Sequence, residues 1–127
     1  MDSLRGHLEA LRISSVAQWD VLAFVHSHGT NLASAEHLAR LLGYDKATIG
    51  AALDSLASSG LIQRSRHARG LRLYRVAVLP ENDPRQFSLH ELMKLTNDRK
   101  GRLQMTGYFR LITPRMDRRE RRGLYLA

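Results

Sequence analysis

Apolar positions between residues 34 and 60 recur at helical spacing in two segments separated by a tight turn. The first segment begins after Ser34, a good N-cap, and ends at Gly43, which supplies a left-handed stop. Its apolar face consists of Leu38, Leu41 and Leu42. The second segment begins after Asp45, another N-cap, and closes at Gly60. Its apolar face consists of Ile49, Ala52, Leu53 and Leu56. The pattern predicts a helix-turn-helix.

After residue 60 the apolar period changes to that of a strand. Two runs rich in strand-forming residues, 61–67 and 71–79, flank a turn at residues 68–70. Side chains alternate in the second run at Tyr74, Val76 and Val78. The predicted hairpin carries Arg64, Arg66, Arg69, Arg72 and Arg75. A hairpin after a helix-turn-helix makes a winged helix, so the predicted fold is mainly α with a small β-hairpin (α+β), with N- and C-terminal helical extensions.

The residues before this motif predict two more helices. Within residues 1–13, Leu4, Leu8 and Leu11 share one helical face, which either covers the same chain or forms half of a dimer contact. Residues 15–28 are apolar nearly all round, so that helix must be buried on more than one side. We expect an N-terminal helix over 1–13, a winged helix-turn-helix domain over 14–80, and a C-terminal helical extension with a basic tail over 81–127.

The C-terminal extension opens with a break in the pattern at residues 81–85, which predicts a linker. Ser88 and Glu91 then form a capping-box pattern, which predicts a new helix start. Gly101 and Gly107 are expected to interrupt the segment after this helix. An apolar patch follows within this segment, and we expect it either to form part of a dimer core or to dock another protein. Its members are Met105, Tyr108, Phe109, Leu111 and Ile112.

Residues 45–62 resemble the recognition helix and following strand of MarR- and ArsR-type bacterial repressors. Upstream, residues 15–29 look like the first core helix of such domains, and Leu32 like the short strand that pairs with the wing. The resemblance covers roughly residues 14 to 79. It implies a DNA-binding transcription regulator that is a homodimer, with a terminal helix at the subunit interface and two wings for a two-fold DNA site.

The formal net charge of +8 is concentrated in two blocks. Residues 55–80 carry five arginines and no acid, and residues 99–127 carry nine Lys or Arg against two acids, whereas the other two segments are each net negative. In the wing, this favours contacts to DNA phosphates over a charged strand edge that only prevents pairing. Arg66, Arg69 and Arg72 are the best candidates. Arg64 is a further candidate, although Arg64 or Arg75 could instead pair with Asp54 or Asp20.

The outward face of the predicted recognition helix is unusually bare. Lys46 and Thr48 are the side chains placed to reach base edges, and Ala47 or Ala51 could touch a thymine methyl group. Gly50 and Asp54 complete this face. Two interpretations are open. Either base specificity is modest and the wing and tail supply most affinity, or the smooth face binds a protein partner and the fold serves in assembly.

The tail contains the densest run of basic residues, a composition that binds phosphate backbones of DNA or RNA with little sequence preference. The alternative is an end that only confers solubility. The basic residues concerned are Arg115, Arg118, Arg119, Arg121 and Arg122.

Other function classes find little support. The chain has no cysteine, so disulfides and thiolate metal sites are excluded, and its six histidines lack ligand spacing. No phosphate loop or nucleophile elbow occurs, and no leader or membrane-spanning segment is evident. We therefore expect a cytoplasmic protein that is not an enzyme, that needs no cofactor or metal, and whose main partner is double-stranded DNA.

Overall fold

The computed structural model describes residues 2–28, 32–66 and 72–112, which form six helices and one antiparallel hairpin. The predicted fold class is confirmed. The helices are α1 (Asp2–Ala10), α2 (Val16–Ser27), α3 (Ala35–Leu42), α4 (Lys46–Ser58), α5 (Pro84–Leu95) and α6 (Arg99–Ile112). The strands are β1 (Ile62–Arg66) and β2 (Arg72–Val76). No helix in these described ranges is long and apolar enough to cross a membrane.

Helix α2 lies at the centre of the molecule and packs against α3, α4, α6 and β2. Trp19, Val21, Leu22 and Val25 of this helix are all buried although they point in different directions. This arrangement confirms the expectation from its all-round apolar sequence. Ser15 begins the helix by accepting a hydrogen bond from the backbone N–H of Gln18 at 3.1 Å.

The helix-turn-helix is built from the predicted local caps. Ser34 accepts a hydrogen bond from the His37 N–H at 3.1 Å, and Gly43 ends α3 in the left-handed region with φ +79°. The predicted apolar face of α3 was partly wrong, because Leu38 is fully buried while Leu41 is 54% exposed. Leu38 is the fully buried residue of this eight-residue helix, and Ala35, Ala39 and Leu42 are partly buried against the core.

The second strand of the wing ends earlier than predicted, and the residue that pairs with the wing from outside the hairpin differs from the predicted one. Val78, expected within the second strand, lies beyond β2 and is 90% exposed. The short bridge to the wing is made by Ala33, not by Leu32. The backbones of Ala33 and Tyr74 exchange two hydrogen bonds, of 2.9 and 2.8 Å. This bridge joins the base of the wing to the segment that enters α3.

The N-terminal helix covers its own chain. Leu4, Leu8 and Leu11 are at most 3% exposed, and α1 packs on α5. Of the two interpretations for this stripe, burial within the chain is therefore the one that the structure supports. His7 Nδ1 lies 3.0 Å from Ser88 Oγ, which adds a polar contact across the same interface.

Helix α5 begins five residues earlier than the capping-box pattern predicted. Asp83 is its N-cap, with Pro84 in the first turn, where a missing N–H costs nothing. Ser88 is therefore inside the helix and buried, and its hydroxyl lies against His7 rather than capping a terminus. The predicted linker over residues 81–85 was wrong in its second half.

Helix α6 is continuous, so the prediction that Gly101 and Gly107 interrupt it was wrong. Gly101 is buried at the α5–α6 elbow, where a Cβ atom would lie 1.6 Å from the Leu95 carbonyl oxygen. The expected apolar patch divides. Met105 and Phe109 enter the core and Leu111 is 73% exposed, whereas nothing is described of the Ile112 side chain.

Candidate nucleic-acid interface

Helix α4 presents two faces of different chemistry. Ile49, Ala52, Leu53 and Leu56 are buried, as predicted from their spacing. Asp45 caps the N-terminus, because its Oδ1 accepts the backbone N–H of Thr48 at 2.6 Å. This hydrogen bond holds the pKa of the Asp45 carboxyl below its usual 3.8. The cap fixes the first turn, in which the candidate contact residues lie.

The four candidate residues of α4 lie on the side away from the core. Lys46, Ala47 and Ala51 are exposed and Thr48 is half-exposed. Ala47, Ala51 and Asp54 are separated by four and three residues and so share one outward row. Only one long cation, Lys46, projects from this helix. The bare face predicted from the sequence is therefore the surface that the folded protein offers.

The hairpin has one buried and one open half. Ile62 is paired with Val76, and Arg64 is paired with Tyr74, so these side chains share the face toward the helices. Ile62 and Tyr74 are buried there, which anchors the base of the wing. Nearer the turn, Arg66 is paired with Arg72, and the Arg72 side chain is exposed. The register thus places two arginines opposite each other at the outer end of the ladder.

The other arginines of the hairpin differ in their surroundings. Arg64 lies next to α4, and its Nη1 is 3.6 Å from Asp54 Oδ1, with both side chains more than 40% exposed. This is the pairing anticipated for Arg64 or Arg75. Arg75 instead donates from Nε to Gln63 Oε1 at 3.1 Å on the opposite face. The side chain of Arg66 is not described, and Arg69 lies outside the described residues.

The basic tail is the second segment with predicted phosphate contacts. Its five candidate residues lie in the segment 113–127, outside the described residues.

Three hydrogen bonds at or next to the ends of α4 link this region to other helices, and sequence reasoning missed them. At the N-terminal end, Tyr44 Oη donates to Asp20 Oδ2 at 2.6 Å, and Arg102 Nη2 donates to Asp20 Oδ1 at 2.7 Å. Burial and the bond to Asp20 raise the pKa of Tyr44 to about 12. At the C-terminal end, Arg85 Nη1 donates to the Ser59 carbonyl at 2.6 Å.

No short sequence motif predicts these contacts, because the partners are between 24 and 82 residues apart. The sequence suggests Asp20 only as a partner for Arg64 or Arg75, and it places Arg85 in a linker. The roles of both residues depend on how α2, α5 and α6 pack, which only the folded structure reveals.

Residues 15–72 match the sequence model of the MarR family. The winged helix of this chain is similar to the MarR family. The match runs from the N-cap of α2 to the first residue of β2 and leaves α1, α5 and α6 outside it. It confirms the resemblance drawn from residues 45–62. No curated protein sequence matches the chain.

Several solved structures share the fold. One is a mutant of MepR from S. aureus bound to an oligodeoxyribonucleotide, with 14% identity and a TM-score of 0.56 over 91% of this chain and 88% of that one. YusO from Bacillus subtilis has 15% identity and a TM-score of 0.51 over 98% of this chain and 83% of that one. A MarR family transcription regulator has 23% identity and a TM-score of 0.51 over 99% and 83%. The similarity of fold extends beyond residues 15–72 to the flanking helices.

Proposed function

We propose that this protein is a homodimeric transcription regulator that binds double-stranded DNA. The main support is that the outward face of α4 lies beside the arginine-bearing wing. The two meet where Arg64 Nη1 lies 3.6 Å from Asp54 Oδ1. A major groove about 12 Å wide admits a helix, and a ribbon beside that helix reaches the flanking backbone. The fold is shared with a MepR mutant bound to an oligodeoxyribonucleotide, which supports DNA as the ligand.

In this proposal α4 enters the major groove with its first two turns. Lys46 supplies a charge to a phosphate or a guanine edge, and Thr48 supplies a short hydroxyl donor or acceptor. Ala47 and Ala51 allow close approach and contact thymine methyl groups. Because few hydrogen-bonding side chains are available, direct base readout is limited, and much of the selectivity must come from groove shape.

The wing supplies most of the charge. Arg64, Arg66, Arg69 and Arg72 are assigned to phosphate contacts, with Arg66 and Arg72 at the outer end of the ladder. The absence of acidic residues over 55–80 leaves the potential of this ribbon uncompensated by its own sequence. Arg64 stays near α4, because its pair with Asp54 is solvent-exposed and weak enough to exchange for a phosphate.

The C-terminal helices are proposed to build the dimer, and the five tail arginines (115, 118, 119, 121 and 122) to add sequence-independent phosphate contacts. Helix α6 buries Met105 and Phe109 and leaves Leu103 and Leu111 62% and 73% exposed two turns apart. A second copy covering these side chains would remove apolar surface from water. Two wings would then address half-sites about one helical turn apart.

The test is fluorescence anisotropy of a labelled 30-base-pair duplex across a salt series. The wing variant replaces Arg66, Arg69 and Arg72 with Ala. Its matched control replaces Arg5, Lys94 and Arg110 with Ala, which removes the same charge from α1, α5 and α6. Each lost phosphate contact should lower the log-log salt slope by about 0.9, so the wing variant should lose two to three units.

The control variant should keep the slope of the intact chain within about one unit. Equal losses in both variants would show that net charge alone drives binding. If the intact chain does not bind the duplex at low salt, the proposed function is wrong. A dimer should be visible by sedimentation, and replacing Leu103 and Leu111 with Ser should shift it toward monomer.

A further inference from the structure

Helix α4 is held to neighbouring helices by directional contacts at both ends, in addition to its buried apolar face. At the N-terminal end the contact centre is Asp20 of α2, whose side chain is 12% exposed. Its two carboxylate oxygens receive hydrogen bonds from Tyr44, one residue before the cap Asp45, and from Arg102 of α6. The N-terminus of α4 is therefore linked through Asp20 to α2 and α6.

At the C-terminal end the contact is made by Arg85, in the first turn of α5. Nη1 of Arg85 donates to the carbonyl of Ser59, the C-cap of α4, at 2.6 Å. Its Nε and Nη2 donate to Asp83 at 3.1 and 2.8 Å, so the carboxylate orients the guanidinium and leaves Nη1 for α4. The last turn of α4 has no basic residue of its own, and Arg85 supplies the cation favoured at a carbonyl end.

These contacts do something that the buried face of α4 cannot do. Apolar packing of Ile49, Leu53 and Leu56 is not directional, and it tolerates small rotations of a helix over its neighbours. A charged hydrogen bond has a narrow range of distance and angle. One at each end therefore restricts both the tilt and the rotation of α4 about its axis.

We infer that Asp20, Tyr44 and Arg85 are positioning residues, which set the orientation of α4 relative to α5 and α6 and so aim its outward face. This inference rests on the proposed function, in which that face enters a DNA groove. The cations on the far side of the contacts, Arg85 and Arg102, belong to helices outside the MarR-family match.

The experiment uses the full chain with three variants and a control. Tyr44→Phe removes only a hydroxyl, Arg85→Gln replaces the guanidinium with a shorter neutral amide, and Arg85→Lys retains a cation and a donor. Lys94→Gln is the control, since it removes one positive charge from the same helix and its described partner, Glu91, is also on α5. Hydrogen exchange of backbone amides in the free protein is read separately for α4 and α1.

Loss of a charged hydrogen bond should accelerate exchange in α4 about tenfold in Arg85→Gln, and loss of the neutral donor about fivefold in Tyr44→Phe. Exchange in α1 should change less than about twofold, because α1 packs on α5 rather than on α4. Arg85→Lys should recover part of the loss, and Lys94→Gln should match the unaltered chain. Acceleration of equal size in α4 and α1, or none in either, would overturn the inference.

The binding arm uses the tightest duplex recovered from a random pool with the unaltered chain. Arg85→Gln should weaken its affinity about five- to tenfold, while Lys94→Gln changes it less than about twofold. Equal affinities of Arg85→Gln and Lys94→Gln would also refute the assignment. If the unaltered chain recovers no duplex, the proposed function fails, and the exchange data alone still decide whether these residues hold α4.

Discussion

Replacing Gly101 with Ala should destabilise the protein, although alanine is the better helix former. A Cβ atom there would lie 1.6 Å from the carbonyl oxygen of Leu95 and 2.6 Å from its carbon. An ordinary carbon-to-oxygen contact is about 3.3 Å, so the start of α6 and the end of α5 must separate by more than about 1.5 Å. The moving atoms are backbone, and the Asp98 carboxylate that accepts the Gly101 N–H at 2.7 Å is displaced with them.

The expected magnitude is the balance of two opposing effects. Overpacking costs about 1–3 kcal/mol, and the upper part of that range, about 2–3 kcal/mol, applies where backbone atoms must move. The helix preference of alanine returns about 1 kcal/mol, which leaves a net loss of about 1–2 kcal/mol. Gly107→Ala is the matched control, because Gly107 lies on the same helix and a Cβ atom added there would have no neighbour within 4 Å. That variant should gain about 0.5–1 kcal/mol from the helix preference alone.

Thermal and urea unfolding followed by circular dichroism will measure the two changes. A loss of 1–2 kcal/mol should lower Tm by about 4–10 °C in Gly101→Ala, and Gly107→Ala should raise it by about 2–5 °C. The urea midpoint should move in the same directions with little change in the slope of the free energy against denaturant. If Gly101→Ala is as stable as Gly107→Ala, the close approach of the two helices is not required by the fold.

The further predictions concern Tyr44 and Asp45, two titratable groups at the start of α4. The pKa of Tyr44 is raised to about 12 from 10.0, so the stability that its neutral hydroxyl contributes is present below pH 10 and is lost as pH rises toward 12. The intact chain should be more stable than Tyr44→Phe below pH 10, and urea unfolding should show this difference narrowing between pH 10 and 12. Asp20→Asn should lower this pKa only partly, since burial is the larger cause, and absorbance of the phenolate will show it. The pKa of Asp45 is lowered, so its helix cap stabilises the protein at pH values above 3.8, and this stability is lost as pH falls below that value. Asp45→Asn should keep the cap and remove this acid sensitivity. Asp45→Ala removes the cap and should lower Tm at neutral pH.

The local part of the fold could be predicted from the sequence because a few adjacent residues determine it. The caps at Ser34 and Asp45 and the stop at Gly43 each satisfy backbone groups within four residues, whatever the rest of the chain does. The buried face of α4 follows from the helical period. The remaining positions of α4 must then face outward, so the sequence also predicted that this face carries few long polar side chains.

The errors arise where a distant partner decides the outcome. Ser88 has the pattern of a helix start, yet Asp83 and Pro84 begin the helix earlier, and the Ser88 hydroxyl meets His7, 81 residues away. Gly101 has the pattern of an interruption, but it is the residue that allows α6 to approach Leu95. The contacts of Asp20 and Arg85 also depend on partners far away in the sequence. Sequence reasoning therefore found the residues on the outward face of α4 but not those that we infer to position the helix.

The two-stranded wing acts mechanically as a lever arm. Ile62 and Tyr74 fix its base in the core, and none of the side chains described between Tyr74 and the turn is buried. At about 3.3 Å per residue, Arg66 lies about 13 Å along the strand from Ile62, so a rotation of about 10° at the base displaces the outer end by about 2 Å. If the wing grips DNA as proposed, substitutions beneath Tyr74 should therefore change the groove width that it can span, although they alter no arginine.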